Sequence, residues 1–331
     1  MFKRKLNEMI IYFSKFFLKI FVKLNLSYLS ALILFVNLRR IKSINTEKID
    51  KKIIILSKSG GIEDILSAHR VEDNNNKIGY YTLPRVLIKI IFYKFIKDER
   101  WRDYLTIDFN ESIKSKKKDY KSFIKKTFSR LDSFWSFNAV LGFNPFYYAE
   151  HDLPEPIKDI GKKFLIIHKE SVHSPAEHLI NLKVYRDQNK KNFASKVAVY
   201  CEYEKKNLIT AKVFEPDQIE VVGCARSDDC FKLRNERPLE NKVIYFMIEP
   251  DRDERSEEAK LLPRELMVNW FDLANLTIKY LIEYANKHPD VDILFKGKGN
   301  VHSLEDLPKD LPKNCSFEVG SPGHKFLKDA K

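Results

Sequence analysis

The sequence predicts an α/β protein of two doubly wound lobes, the second one incomplete, behind an N-terminal amphipathic helical segment. Three observations predict this. From residue 163 onward, short apolar runs alternate with helical stretches of about 10–13 residues, the pattern of a parallel sheet with right-handed crossovers. The alternation restarts at Lys242, after a charged stretch (231–241) that holds Pro238 and reads as a linker. The 331 residues, 44% hydrophobic and 32% charged, have globular composition and room for two domains.

The N-terminal segment, 1–45, comes first. Lys15, Lys19 and Lys23 are four apart and stack on one helix face, beside Ile10, Phe13, Phe16, Phe17, Ile20, Phe21 and Leu24. The uncharged run 26–38 is shorter than the roughly 20 residues that span a bilayer. A helix in the plane of an anionic membrane surface, lysines toward the headgroups, fits best. A helical hairpin packed on its own protein and a true span are the alternatives.

The first lobe is expected over 50–235. Residues 53–56 read as its opening strand, Ser57-Lys58-Ser59-Gly60-Gly61 as a tight loop and 62–69 as a helix. A helix follows Pro84 over 86–96. The seven lysines of 114–126 read as a solvated helix face or a phosphate or membrane patch, and the uncharged aromatic stretch 133–148 as core or interface wall. Strands are expected at 163–168, 196–201 and 218–223, with helices at 176–187 and 202–214. The second lobe, 242–331, should hold strands at 242–248, 291–296 and 316–319, a long helix at 269–287 and a helix beginning at 324. The chain then stops, so this lobe is expected to be truncated.

Charge and cysteines exclude several functions. The net charge is +13, but thirteen Lys/Arg against three acids in residues 1–60 put +10 of it there. The α/β body is nearly neutral, which argues against nucleic acid as a partner. Cys201, Cys224, Cys230 and Cys315 form no C-x-x-C pair, so a zinc ribbon, a redox motif and a disulfide scaffold are not expected. His173 and His178 are five apart, which does not align two imidazoles on a helix, and no metal site is expected.

Candidate chemistry sits at strand ends, because ligands of open parallel sheets bind outside the carboxyl ends of the strands. Gly60 and Gly61 turn the first strand into its helix. Glu63 and Asp64 already occupy that helix's positive end, which favours a sugar or lipid-linked acceptor over a phosphate there. His168, Lys169 and Glu170 follow a buried strand and offer a base, a cation and a carboxylate. Gly223, Arg226 and Asp228 follow another; Arg226 suits a phosphate or carboxylate, or else pairs with Asp228. In the second lobe Lys296 and Lys298 lie among glycines at a strand end, and Ser321 and His324 precede a helix start, both suited to a diphosphate. Simple solvated turns are the alternative at each glycine loop.

The run 196–228 (KVAVYCEYEKKNLI…QIEVVGCARSD) resembles bacterial surface-carbohydrate enzymes of the GT-B glycosyltransferase architecture, which has two Rossmann-like lobes. The group includes capsule and lipopolysaccharide sugar transferases and CDP-glycerol glycerophosphotransferase-like proteins. Their shared loop is V-G-x-P-R-x-D. Val222, Gly223, Arg226 and Asp228 match it, and Ala225 stands where the proline is usual. Lys296 corresponds to the lysine of the family's K-x-H-P loop, although Gly297-Lys298-Gly299 departs from that pattern. The resemblance covers residues 163–331, and the family's S-x-x-x-E nucleotide helix would come only after them.

The resemblance implies an acceptor-binding first lobe and a donor-binding second lobe, with direct displacement at the donor's anomeric carbon or phosphoryl group. Glu170 or His168 would act as base and cations would stabilise the leaving nucleotide phosphate. The expected partners are a nucleotide-sugar donor, a glycan or lipid-linked acceptor and an anionic membrane surface on the cytosolic side. No cofactor is expected, since the activated donor is a substrate. The alternatives are a CDP-polyol phosphotransferase of the same architecture and a non-catalytic protein that binds membrane or polysaccharide.

Overall fold

The computed structural model describes residues 2–41, 49–58, 61–69, 77–96, 111–169, 191–228, 241–248, 270–298, 302–321 and 323–326. The chain divides into two compact units, Met1–Ala225 and Arg226–Lys331, so the division falls just before the expected linker.

The first unit is built on a seven-stranded sheet in the order β1-β3-β2-β4-β5-β6-β7. Its strands are β1 (Arg39–Arg40), β2 (Lys51–Ser57), β3 (Ile78–Pro84), β4 (Ala139–Gly142), β5 (Lys163–Ile167), β6 (Lys196–Val199) and β7 (Ile219–Val221). Every pairing is parallel except that of β1 with β3. β2 is rich in isoleucine because a central parallel strand is buried on both faces, and all four residues of β4 are buried for the same reason.

The pleat sorts these side chains onto two faces. Ile54, Leu56, Val140, Phe164 and Ile166 join the larger core. Helices α1 (Phe2–Lys23), α2 (Ser27–Val36), α4 (Arg85–Phe95), α5 (Glu111–Phe134), α6 (Pro154–Asp159) and α7 (Glu202–Thr210) complete the helices on that side, and all contribute to its core. On the opposite face Ile55 and Leu141 pack with Ile65 of α3 (Gly61–His69) and with Phe143.

The N-terminal helices are part of this unit, not a segment standing apart from it. Leu18 and Val22 of α1 and Ala31 and Leu34 of α2 lie in the larger core, and β1 extends the sheet. Asn25 makes the turn between the helices. It takes the left-handed conformation (φ 57°), its N–H donates to the Val22 carbonyl, and the Leu26 N–H donates to the Phe21 carbonyl. That paired closure ends α1 and reverses the chain. Asn37 then donates from Nδ2 to Ser14 Oγ at 2.7 Å and ties the end of α2 back to α1. Among the described residues no helix is long and apolar enough to cross a membrane.

The second unit holds a separate parallel sheet, β10-β9-β8, made of β8 (Lys242–Phe246), β9 (Asp292–Lys296) and β10 (Cys315–Glu318). The long helix α8 (Trp270–Lys287) supplies Ile278 and Ala285 to its core, with Ile293 and Phe295 from β9. The helix expected from 324 is a short 3-10 turn, Gly323–Phe326, among the described residues. The expected helix at 176–187 lies outside them, and the helix expected to reach 214 ends at Thr210.

Candidate functional site

Topology locates the crevice of the first sheet. The chain runs from β2 outward to β3, then returns to the other side of β2 at β4. Neighbouring β2 and β4 send their connections to opposite faces: α3 packs beside Ile55 and Leu141, whereas Leu153 and Ile157 after β4 join the larger core. A sheet opens at such a switch point, at the carboxyl ends of its strands.

The residues at that rim are basic and aromatic. Lys58 follows β2, Arg85 follows β3, and Tyr147 and Tyr148 lie on the loop after β4. The Arg85 guanidinium stacks on Tyr147, its Cζ 3.7 Å from the ring centroid, and Lys58 Nζ lies 5.3 Å from the same centroid. Arg85 Nε also donates to Glu150, whose side chain is only 3% exposed. One turn along α4, Lys89 Nζ sits 5.8 Å from the Tyr148 ring, and a turn further Tyr93 hydrogen-bonds the Tyr148 hydroxyl. Burial, with Arg85 and Lys58 nearby, holds the Lys89 ammonium pKa below the ordinary lysine range. Burial and the Tyr93 bond push the Tyr148 phenol up to about 12.

This loop is held from below. Tyr120 of α5 donates its hydroxyl to the Ala149 carbonyl at 2.8 Å, and burial holds its phenol well above the usual range. Lys117 pairs with buried Asp152 at 3.2 Å. Lys121 and Lys125 pair with Glu155 and Asp159 of α6. Three of the seven lysines of this run, Lys117, Lys121 and Lys125, thus clamp α5 onto α6 and the β4 loop. A cleft of 530 Å³ lined by Lys117, Lys118, Lys121, Glu155 and Asp159 lies along this seam, with acids opposite the bases.

The residues expected from the sequence fall in several places. Gly61 is buried at the start of α3, and a Cβ there would meet the Phe143 ring at 2.2 Å. The glycine thus lets a ring pack at the switch point. Gly60 and Glu170 lie outside the described residues. Asp64 of α3 is buried and accepts a hydrogen bond from Tyr200 at 2.9 Å.

His168 requires a correction: it is no open-rim base. Its side chain is 0% exposed, with Nδ1 3.1 Å from Glu204 Oε1 on α7 and Phe146 packed edge-on at 5.7 Å. The cause is the strand period. Phe164, Ile166 and His168 fall on one face, so His168 follows the β5 side chains into the core. Lys169, half-buried, donates its N–H to the Phe143 carbonyl at 3.2 Å and joins the β5 and β4 ends. Gly223 follows edge strand β7 with φ +71°, a left-handed conformation that glycine tolerates, and no atom crowds its Cβ direction. Arg226 lies in a 3-10 turn, Ala225–Ser227, at the start of the second unit, and Asp228 beside it is exposed.

In the second unit β8, β9 and β10 are parallel neighbours, so the loops bearing Lys296, Lys298, Ser321 and His324 share one rim. Lys298 is exposed there. Lys296 is not: it is 6% exposed, donates to the Gly297 carbonyl at 2.7 Å and pairs with Glu318 at 3.3 Å. Buried His302 shapes the loop, accepting the Lys298 N–H at Nδ1 (3.0 Å), with its Nε2 3.0 Å from the Ile248 carbonyl oxygen. Burial raises the Glu318 carboxyl pKa, but hydrogen bonds from Ser321 and Lys296 outweigh it and leave the net shift downward.

Arg85, Lys89, Tyr147, Glu150 and Glu204 do not stand out in the sequence. The sequence signal for the first is its place directly after Pro84, ahead of the helix expected over 86–96. No protein-family model matches the chain, and no curated protein matches it.

Proposed function

We propose that the protein is a membrane-surface glycosyltransferase that moves a sugar from a nucleotide-activated donor to a glycan or lipid-linked acceptor. The first unit takes the acceptor at the β2–β4 switch point, and the second takes the donor at its strand-end rim. The surface-carbohydrate resemblance of residues 196–228 supplies the reaction class, and the doubly wound first sheet agrees with it.

The observation that carries the membrane part is the division of labour around α1. Ser14, Leu18 and Val22 face the core, while Met9, Tyr12, Phe13, Phe16, Phe17, Ile20 and Leu24 are exposed on the opposite side. Tyr12 is 70% and Leu24 60% exposed. So many apolar side chains on one face of one helix are unfavourable in water and favourable in the headgroup boundary. Lys15, Lys19 and Lys23 run down one flank of that face, placed for anionic headgroups.

The test is transfer. The full chain, mixed with vesicles carrying lipid-linked acceptors, is given a panel of radiolabelled nucleotide sugars and CDP-polyols. A labelled lipid product with a nucleotide sugar is the expected result. Product only with a CDP-polyol would make the protein a polyol phosphotransferase. No product, with no nucleotide stabilising the protein to heat, would remove the transferase reading.

A further inference from the structure

The second unit carries an apolar face outside its own core. Helix α8 turns Ala274, Ile278 and Ala285 inward, where they are buried. Leu273, Leu276, Tyr280 and Tyr284 recur at steps of three and four, so they form one stripe along the helix, and all four are exposed. Leu276 is 48% and Tyr280 62% exposed. Tyr284 stacks on His288 with ring centroids 4.2 Å apart, which holds the C-terminal end of the stripe in place. A contiguous exposed apolar stripe marks an interaction surface.

Charge identifies what covers it. Asp272, Lys279, Glu283 and Lys287 line one flank of the stripe, so the signs run acid, base, acid, base. The flank of α1 is different: Lys15, Lys19 and Lys23 are all basic, and residues 9–46 hold no acid. An anionic membrane attracts a uniformly basic flank but repels the two carboxylates beside the α8 stripe.

An alternating flank is complementary to its own reverse. When two copies of α8 lie antiparallel with Tyr280 at the twofold axis, Leu276 falls opposite the partner's Tyr284. At about 1.5 Å per residue, Lys279 then lies about 3 Å along the helix from the partner's Glu283, and Asp272 about 1.5 Å from the partner's Lys287. The twofold repeats each pairing. Parallel packing would instead set every charge against its like.

We propose that α8 is the contact of a twofold homodimer. Leu273, Leu276, Tyr280 and Tyr284 form its seam, and Lys279 and Glu283 set its antiparallel direction. Four apolar side chains from each copy make a small interface, so the dimer is weak and forms at micromolar concentration. The proposal goes beyond the transferase reading and does not depend on it.

The experiment is analytical ultracentrifugation of the full chain over about 1–100 µM. Every protein carries Phe13→Ser/Phe16→Ser, so that the exposed face of α1 adds no association of its own. Leu276→Ser/Tyr280→Ser removes the centre of the seam. Lys279→Glu and Glu283→Lys each set like charges across the twofold. All four positions are exposed, and circular dichroism checks that each variant is folded.

The expected result is a concentration-dependent dimer with a Kd on the order of 10 µM. Leu276→Ser/Tyr280→Ser should stay monomeric over the same range. Lys279→Glu and Glu283→Lys alone should each weaken the dimer about tenfold, and an equimolar mixture of the two should recover it, because opposite charges then meet across the twofold. The mixture isolates the pairing between copies, since both variants lose the Lys279–Glu283 attraction within one helix. A chain that is monomeric at every concentration overturns the proposal. So does a dimer that Leu276→Ser/Tyr280→Ser leaves unchanged, or a mixture no more associated than its parts. Weaker pelleting of Leu276→Ser/Tyr280→Ser with anionic vesicles, and no dimer of the parent in solution, would overturn it in favour of a membrane contact.

Discussion

Arg85 and Tyr147 form the hub of the first unit's rim: the guanidinium carbon lies over the ring, 3.7 Å from its centroid, at the point where β2, β3 and β4 deliver their carboxyl ends. The same guanidinium neutralises Glu150 beneath it. A planar cation can do both, because its face and its N–H edge are separate binding surfaces, whereas an ammonium has no flat face.

Arg85→Ala should therefore destabilise the protein strongly, by about 3–5 kcal/mol, since it leaves the Glu150 carboxylate buried without its cation. Glu150→Gln should cost less, and the double variant less than the sum of the two. Urea unfolding of all four proteins closes the cycle. Additive losses would mean that the pair is not coupled.

Gly61 tests the packing at the switch point. Gly61→Ala puts a methyl group 2.2 Å from the Phe143 ring, and overpacking of that kind costs about 1–3 kcal/mol. Phe143→Leu in the same chain should recover part of the loss. Thermal unfolding that does not distinguish Gly61→Ala from wild type would show that the ring moves aside freely.

A pH prediction follows from Glu318. Its carboxyl pKa is lowered in the folded protein, so its contribution to stability is present above the ordinary glutamate pKa of about 4.3 and is lost as pH falls through the lower folded value. Removing the carboxylate also removes the partner that holds Lys296 at 3.3 Å. Stability measured from pH 7 down to pH 3 should fall more steeply in wild type than in Glu318→Gln. Parallel curves would contradict it.

Parts of this architecture were legible in the sequence and parts were not. β2, β5, β6, β8 and β9 are aliphatic runs next to helical stretches, and periodicity finds them. β3 (IGYYTLP) was missed because Gly79 and the terminal Pro84 weaken its strand character. β4 was missed because four residues, AVLG, sit inside a long aromatic stretch that reads as a single apolar block. Without β3 and β4 the switch point has no position, and the strand-end candidates the sequence offers are spread from Gly61 after β2 to His168 and Arg226 after β5 and β7. His168 was then displaced from the rim by one more step of strand alternation. Its partner Glu204 lies on a helix 36 residues further on, a distance that no local spacing rule connects.

The exposed face of α1 gives a further expected outcome. Phe13→Ser/Phe16→Ser should leave the unfolding temperature nearly unchanged, because both side chains are exposed, 51% and 56%. It should lower vesicle binding by an order of magnitude or more, given about 1.5–3 kcal/mol for each phenylalanine buried. Co-sedimentation with neutral and anionic vesicles measures it. A large loss of stability with unchanged pelleting would assign the face to packing instead.

The most direct test of the central claim, that the β2–β4 rim of a membrane-docked unit holds the acceptor of a sugar transferase, is steady-state transfer by Lys58→Gln/Lys89→Gln. KM is measured separately for donor and for lipid-linked acceptor. The account predicts a KM for acceptor raised about tenfold, with the KM for donor unchanged, because the lost cations touch the acceptor alone. A raised KM for donor with an unaltered KM for acceptor would contradict it.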